Sequence, residues 1–106
     1  MSNLQEEQQL IDSRIVCELV EVIPDTWNSA ILQIEYVKNG ENESYSHRIN
    51  NLEGHNISAF PSDALYLATR DLSIVFKKYG CQWRKVIYTI SLLPDGDWSY
   101  KANFEY

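Results

Sequence analysis

Apolar residues recur at helical spacing in two segments of the chain and alternate with polar residues in four others. From about Leu4 to Val22, Ile11, Ile15, Leu19 and Val22 return every three or four positions, with Val16, Val20 and Ile23 beside them. Glu6, Glu7, Asp12, Arg14, Glu18 and Glu21 fall on the other side, so this segment predicts an amphipathic helix with a wet acidic face. Acidic residues in its first turn suit the positive end of the helix dipole, and Pro24 predicts its end. Ala30 to Lys38 alternates, with Ala30, Leu32, Ile34 and Tyr36 on one side, and Asn39-Gly40 then signals a turn. Ser44 to Ile49 returns as a second strand, and Asn50 to Phe60 reads as a loop containing Gly54.

A second helix is predicted over Ser62 to Tyr79, with Ser62 or Ser58 as cap and Pro61 near its start. Leu65, Ala68, Leu72, Val75, Phe76 and Tyr79 form its buried stripe, and Lys77, Lys78 and Gly80 its stop. The last quarter, Trp83 to Tyr106, holds two alternating runs around a Pro94-Asp95-Gly96 turn, which predicts a hairpin. Val86, Tyr88, Ile90, Leu92, Trp98, Tyr100, Ala102 and Phe104 should face inward, and Ile87 is the apolar misfit on the outer side. The order α-β-β-α-β-β, with hairpins and no βαβ alternation, predicts an α+β domain. Its simplest packing is a four-stranded antiparallel sheet with both helices on one face and the other face wet. The open face then carries Gln33, Glu35, Ser99, Lys101, Asn103 and Glu105.

Length changes this picture little: 106 residues suit one domain with one core. A hydrophobic fraction of 44% and an aromatic fraction of 12% argue for a packed globule. No apolar run approaches the ~20 residues of a membrane span, and the polar, acidic start does not resemble a secretory signal, so a cytoplasmic protein is expected. The net charge of −6 matters more. It disfavours direct nucleic-acid binding, which needs cations to displace counterions, and leaves either a solubilising surface or a partner with a basic one.

The candidate chemistry is sparse. Cys17 and Cys81 share no metal spacing and are expected to be free thiols. His47 and His55 lie beside no sequence-placed nucleophile, and a surface or hydrogen-bonding role is expected of each. Trp27, Trp83 and Trp98 are core candidates before they are stacking platforms, because no cationic groove accompanies them beyond Arg84-Lys85. Glu41 and Glu43 flank the first turn and Asp95 and Asp97 the second, where backbone chemistry already favours such residues. No catalytic, cofactor-binding or metal site emerges, and no enzyme is expected.

Several segments resemble the YezG-like immunity proteins, antitoxins of polymorphic bacterial toxins. These are the first helix running into Ile23-Pro24-Asp25-Thr26-Trp27, the strand Tyr45-Ser46-His47, and the second helix ending Phe76-Lys77-Lys78-Tyr79-Gly80. Trp83, the Leu93-Pro94-Asp95-Gly96-Asp97-Trp98 turn and the closing Asn103-Phe104-Glu105-Tyr106 complete the set, which spans most of the chain in the family's order. The resemblance implies a single domain that binds and neutralises a cognate toxin domain, often a nuclease, with no catalytic residues or cofactors of its own. An acidic inhibitor of a basic nuclease gains steered encounter. The expected toxin-binding residues are therefore the acidic turns and the open face: Glu35, Glu41, Glu43, Asp95, Asp97 and Glu105. The alternatives are a general interaction module or secretion chaperone, and a small hydrolase using His47 or His55.

Overall fold

The computed structural model describes residues 3–51 and 58–106. The expected loop readings of Gly54 and His55 lie outside the described residues. In chain order the elements are α1 (Leu4–Val22), β1 (Ser29–Asn39), β2 (Asn42–Asn50), β3 (Ser58–Ala59), α2 (Asp63–Lys78), β4 (Lys85–Leu92) and β5 (Trp98–Glu105). The chain is α+β, with the two helices and four long antiparallel strands in the predicted order. The two-residue β3 is an addition: it pairs Ser58 and Ala59 with Asn50 and Ile49, giving a sheet ordered β3-β2-β1-β4-β5. Two residues are too few for alternation to register in a sequence.

Local chemistry sets the element ends. The Asn3 side chain caps α1 by accepting from Glu6 N–H at 2.9 Å, and Ile23, the residue before Pro24, is extended (φ −84°, ψ 150°). Ser62, rather than Ser58, caps α2 by accepting from Leu65 N–H at 3.1 Å. The helix stops in a Schellman motif: Cys81 N–H reaches Phe76 O at 2.9 Å and Gly80 N–H reaches Lys77 O at 3.0 Å, with Gly80 at φ 77°. The β1–β2 turn lies one residue later than Asn39-Gly40 suggests. Asn39 pairs with Asn42, so Gly40 and Glu41 are the central residues, and Gly40 takes the positive φ (67°) that a leading glycine permits.

Register sorts the faces. Ala30, Leu32, Ile34 and Tyr36 of β1 line up with Ile49, His47 and Tyr45 of β2 and with Val86, Tyr88 and Ile90 of β4. That side packs on both helices, and Ile15, Leu19, Leu65, Leu72 and Phe76 complete the core. Trp27 and Trp83 are buried in it, as the sequence suggests.

Three inward expectations and one outward one fail. Tyr79 is 36% exposed, because α2 has ended before it and its hydroxyl turns to Glu7. Leu92 and Tyr100 are exposed near the end of the β4–β5 hairpin, beyond the cover of the helices. Asp12, expected on the wet side of α1, is only 4% exposed. Its carboxylate accepts from the Tyr88 hydroxyl and from Gln8 Nε2, which makes it a polar link between α1 and the centre of the sheet.

Candidate functional site

The predicted acidic residues fall in three separate places. Glu35 and Glu105 lie on the outer face of the sheet, on either side of Lys85, with carboxylates 4.0 and 3.9 Å from its Nζ. Arg48 and Lys101 share that face by register, so it is balanced in charge rather than acidic. Glu41 sits in the β1–β2 turn. Glu43 begins the helix-side row of β2, where both its oxygens lie 2.7 Å from Lys77 Nζ and one accepts from the Tyr36 hydroxyl at 2.7 Å. Those bonds hold the Glu43 carboxyl below its ordinary range and Lys77 above its own. Asp95 and Asp97 occupy the β4–β5 turn, at the opposite end of the sheet. There the Asp95 side chain accepts from Asp97 N–H at 3.0 Å and Gly96 adopts φ 92°.

At that opposite end the fold assembles a surface that sequence order does not join. α1 packs beside β5, and a groove of about 410 Å³ runs between them. Val16, Cys17 and Val20 form its helix wall, Trp98 and Tyr100 its strand wall, and Glu21 and Asp97 add one carboxylate from each side. Among the described residues no lysine, arginine or histidine lines it. Glu18 precedes Glu21 by about one turn on the same helix, and Asp25 follows α1 in the segment whose Asn28 carbonyl accepts from Leu92 N–H at 2.8 Å. Among the described residues none of Glu18, Glu21, Asp25, Asp95 and Asp97 has a cation within 4.0 Å. The missed residues, Glu18, Glu21 and Asp25, carried one legible signal: two lie in the last two turns of a helix whose last turn has no base, and the third follows just after its end.

A second groove, of about 730 Å³, lies between α2 and β2 and is mixed in charge, with Glu43 and Asp63 against Arg70 and Lys77. His47 stands beside it, and its ring contacts Tyr66 edge-on at 4.4 Å. The Thr69 hydroxyl donates to Leu65 O at 3.0 Å, so its oxygen accepts from His47 Nε2 at 2.8 Å, which fixes the proton on Nε2. The bare Nδ1 has no donor. Burial pulls the His47 pKa from 6.5 to about 4, opposed by the backbone of Tyr45, which would accept from a protonated ring. At neutral pH His47 is an uncharged clamp between β2 and α2.

Cys17 and Cys81 are free and exposed. Among the described residues no three His, Cys, Asp or Glu side chains converge as metal ligands, and no helix is long and apolar enough to cross a membrane. No family model matches the chain, and no curated protein is recognisably similar to it.

Proposed function

We propose that this chain is an immunity protein, which binds a cognate bacterial toxin domain in the cytoplasm of the producing cell and holds it inactive. The observation that carries this reading is the groove between α1 and β5, where Glu21 and Asp97 rim Trp98 and Tyr100 without a neutralising cation. A nuclease must be basic where it holds nucleic acid. Unpaired carboxylates around half-exposed aromatic rings suit such a surface: the charges steer encounter, and the rings supply the contact area that holds. The segments that resemble the YezG-like immunity proteins support the same reading, because Asp25, Asp95, Asp97 and Trp98 belong to them.

The proposed contact is therefore centred on Glu18, Glu21, Asp25, Asp95 and Asp97, with Glu41 outside it. Glu35, Glu43 and Glu105 already meet lysines of their own chain. A standard complex would bury about 800 Å² on each partner, more than the groove alone offers, so the exposed Leu92 and Leu93 beside the turn belong to the same footprint.

The test is calorimetric titration of the toxin domain encoded beside this gene, at low and raised salt. Nanomolar binding that weakens with salt supports the reading. Tight binding indifferent to salt keeps the immunity function but moves the contact to apolar surface. Absence of binding removes it and leaves the interaction-module reading.

A further inference from the structure

The sheet has a second unassigned surface, the outer edge of β2. β3 covers it only at Ile49 and Asn50, and among the described residues nothing pairs with Asn42–Arg48 on that side. Alternation of the backbone decides which groups face outward. Tyr36 N–H bonds to Arg84 O on the β4 side, so Gln33, Glu35 and Val37 turn their backbone groups toward β2. Their partners Arg48, Ser46 and Ser44 turn toward β1. Glu43, Tyr45 and His47 are left with N–H and C=O groups directed at the free edge. Proteins usually blunt such an edge with proline, lysine or a bulge. Asn42–Arg48 contains neither proline nor lysine, and its pairing with β1 is unbroken.

We propose that this edge joins two copies of the chain, β2 to β2 antiparallel, about a two-fold axis at Tyr45. The sequence there is self-complementary. With the axis at Tyr45, Ser44 faces the second copy's Ser46, Glu43 faces its His47, and Asn42 faces its Arg48. The same register pairs each outward-directed backbone group with another: Tyr45 with Tyr45, and Glu43 with His47 on both sides of the axis. Moving the axis to Ser46 would set Glu43 against Ile49, whose edge β3 already occupies.

Side chains beside the edge fit the same occupant. Arg70 of α2, with no carboxylate within 4.0 Å among the described residues, follows directly on Thr69, which clamps His47. The second copy brings Glu43 opposite that clamp. Tyr66 and Ile74, 43% and 54% exposed, lie on α2 in the groove along the edge and gain apolar cover when the two helices flank a joined sheet. The surface is distinct from the α1–β5 groove, which lies toward the β5 edge, so this inference stands or falls apart from the immunity reading.

The experiment is sedimentation equilibrium of the full chain from micromolar to millimolar concentration, repeated on the double variant Ser44→Lys/Ser46→Lys. Both serines point to the outer, solvent face, so circular dichroism should be unchanged. A dimer whose association weakens at least tenfold in the lysine variant is expected, because lysines then face lysines across the junction. Register is read by mixing single variants Ser44→Cys and Ser46→Cys, each with Cys17 and Cys81 replaced by serine, under mild oxidation. Non-hydrogen-bonded antiparallel partners stand about 4.5 Å apart at Cα, within disulfide reach. The mixture should cross-link and neither variant alone should. A chain monomeric throughout overturns the proposal, as does a dimer unmoved by the lysines or cross-linking no better in the mixture. Protection of the β2 amides only when another protein is added would assign the edge to that protein and equally overturn it.

Discussion

Replacing Tyr88 with phenylalanine tests whether the buried link between α1 and the sheet is electrostatic. Tyr88 is fully buried in β4, and its hydroxyl donates to Asp12, itself 4% exposed. Without that hydroxyl, Asp12 keeps only the 3.3 Å bond from Gln8. Leaving a buried group short of its donor costs about 1–3 kcal/mol, more when the group is charged. A domain of this kind has about 5–15 kcal/mol in all, so Tyr88→Phe should fold and lose roughly 2 kcal/mol at pH 7. Burial raises the Asp12 pKa above its ordinary 3.8, while the bonds from Tyr88 and Gln8 lower it. A carboxyl whose folded pKa lies above its unfolded one binds its proton more tightly when folded. Its ionisation therefore costs stability above the folded pKa, and the cost disappears as pH falls toward 3.8. Removing the hydroxyl raises the folded pKa further, so the deficit should shrink as the medium is acidified. The assay is urea unfolding followed by tryptophan fluorescence, on wild type and variant, at pH 7 and just above pH 4. Other acid effects, His47 among them, cancel in the difference. A deficit below about 0.5 kcal/mol at pH 7, or one equal at both pH values, would mean that the link is not electrostatic.

His47 should make the wild type acid-sensitive with the opposite sign. Its folded pKa of about 4 lies below 6.5, so the stability from keeping it neutral is complete above pH 6.5 and lost as pH falls toward 4. A difference of that size corresponds to about 3 kcal/mol, and partial solvent access to the ring reduces it to about 1–2 kcal/mol. His47→Gln, which retains a donor for Thr69, should flatten that stretch of the stability profile measured by urea unfolding. The exposed pair Arg14–Asp71, 2.6 Å apart, should matter little: Asp71→Asn should cost under about 1 kcal/mol in dilute buffer and almost nothing in 0.5 M salt. Glu21→Lys combined with Asp97→Lys should leave thermal unfolding within a few degrees of wild type but slow association with the toxin domain at least tenfold at low salt in stopped-flow mixing. An unchanged rate would move the contact off this groove.

The fold was legible in the sequence wherever one side of an element is uniformly wet or dry. β1 shows this: Ala30, Leu32 and Ile34 are buried and their neighbours are not, and alternation carries that directly. α2 shows it at 3.6 spacing, with its stop written in Lys77, Lys78 and Gly80. The reading failed where a side chain's environment comes from a distant element. Asp12 is polar by type, and only its meeting with Tyr88, 76 positions away, makes it interior. Tyr79 and Leu92 are apolar by type, and they surface because the layer that would cover them ends first.

The site was less legible, because net charge is a sum and recognition depends on what remains after pairing. The lysines of α2's last turn and of β4 take up Glu7, Glu43, Glu35 and Glu105, all toward the end where α1 begins and β1 turns into β2. Glu18, Glu21, Asp25, Asp95 and Asp97, which no lysine or arginine among the described residues reaches, collect at the other end, where α1 stops and β4 turns into β5, while Glu6 and Glu41 stay unpaired at the first. The fold thus gathers five of the unneutralised carboxylates at one end. A sequence can identify the carboxylates, but which of them stay unneutralised follows from the antiparallel order of the two helices and from the two hairpin turns lying at opposite ends of the sheet. That arrangement also separates the acidic groove from the free edge of β2, so the proposed contact with a basic partner and the proposed junction with a second copy do not overlap.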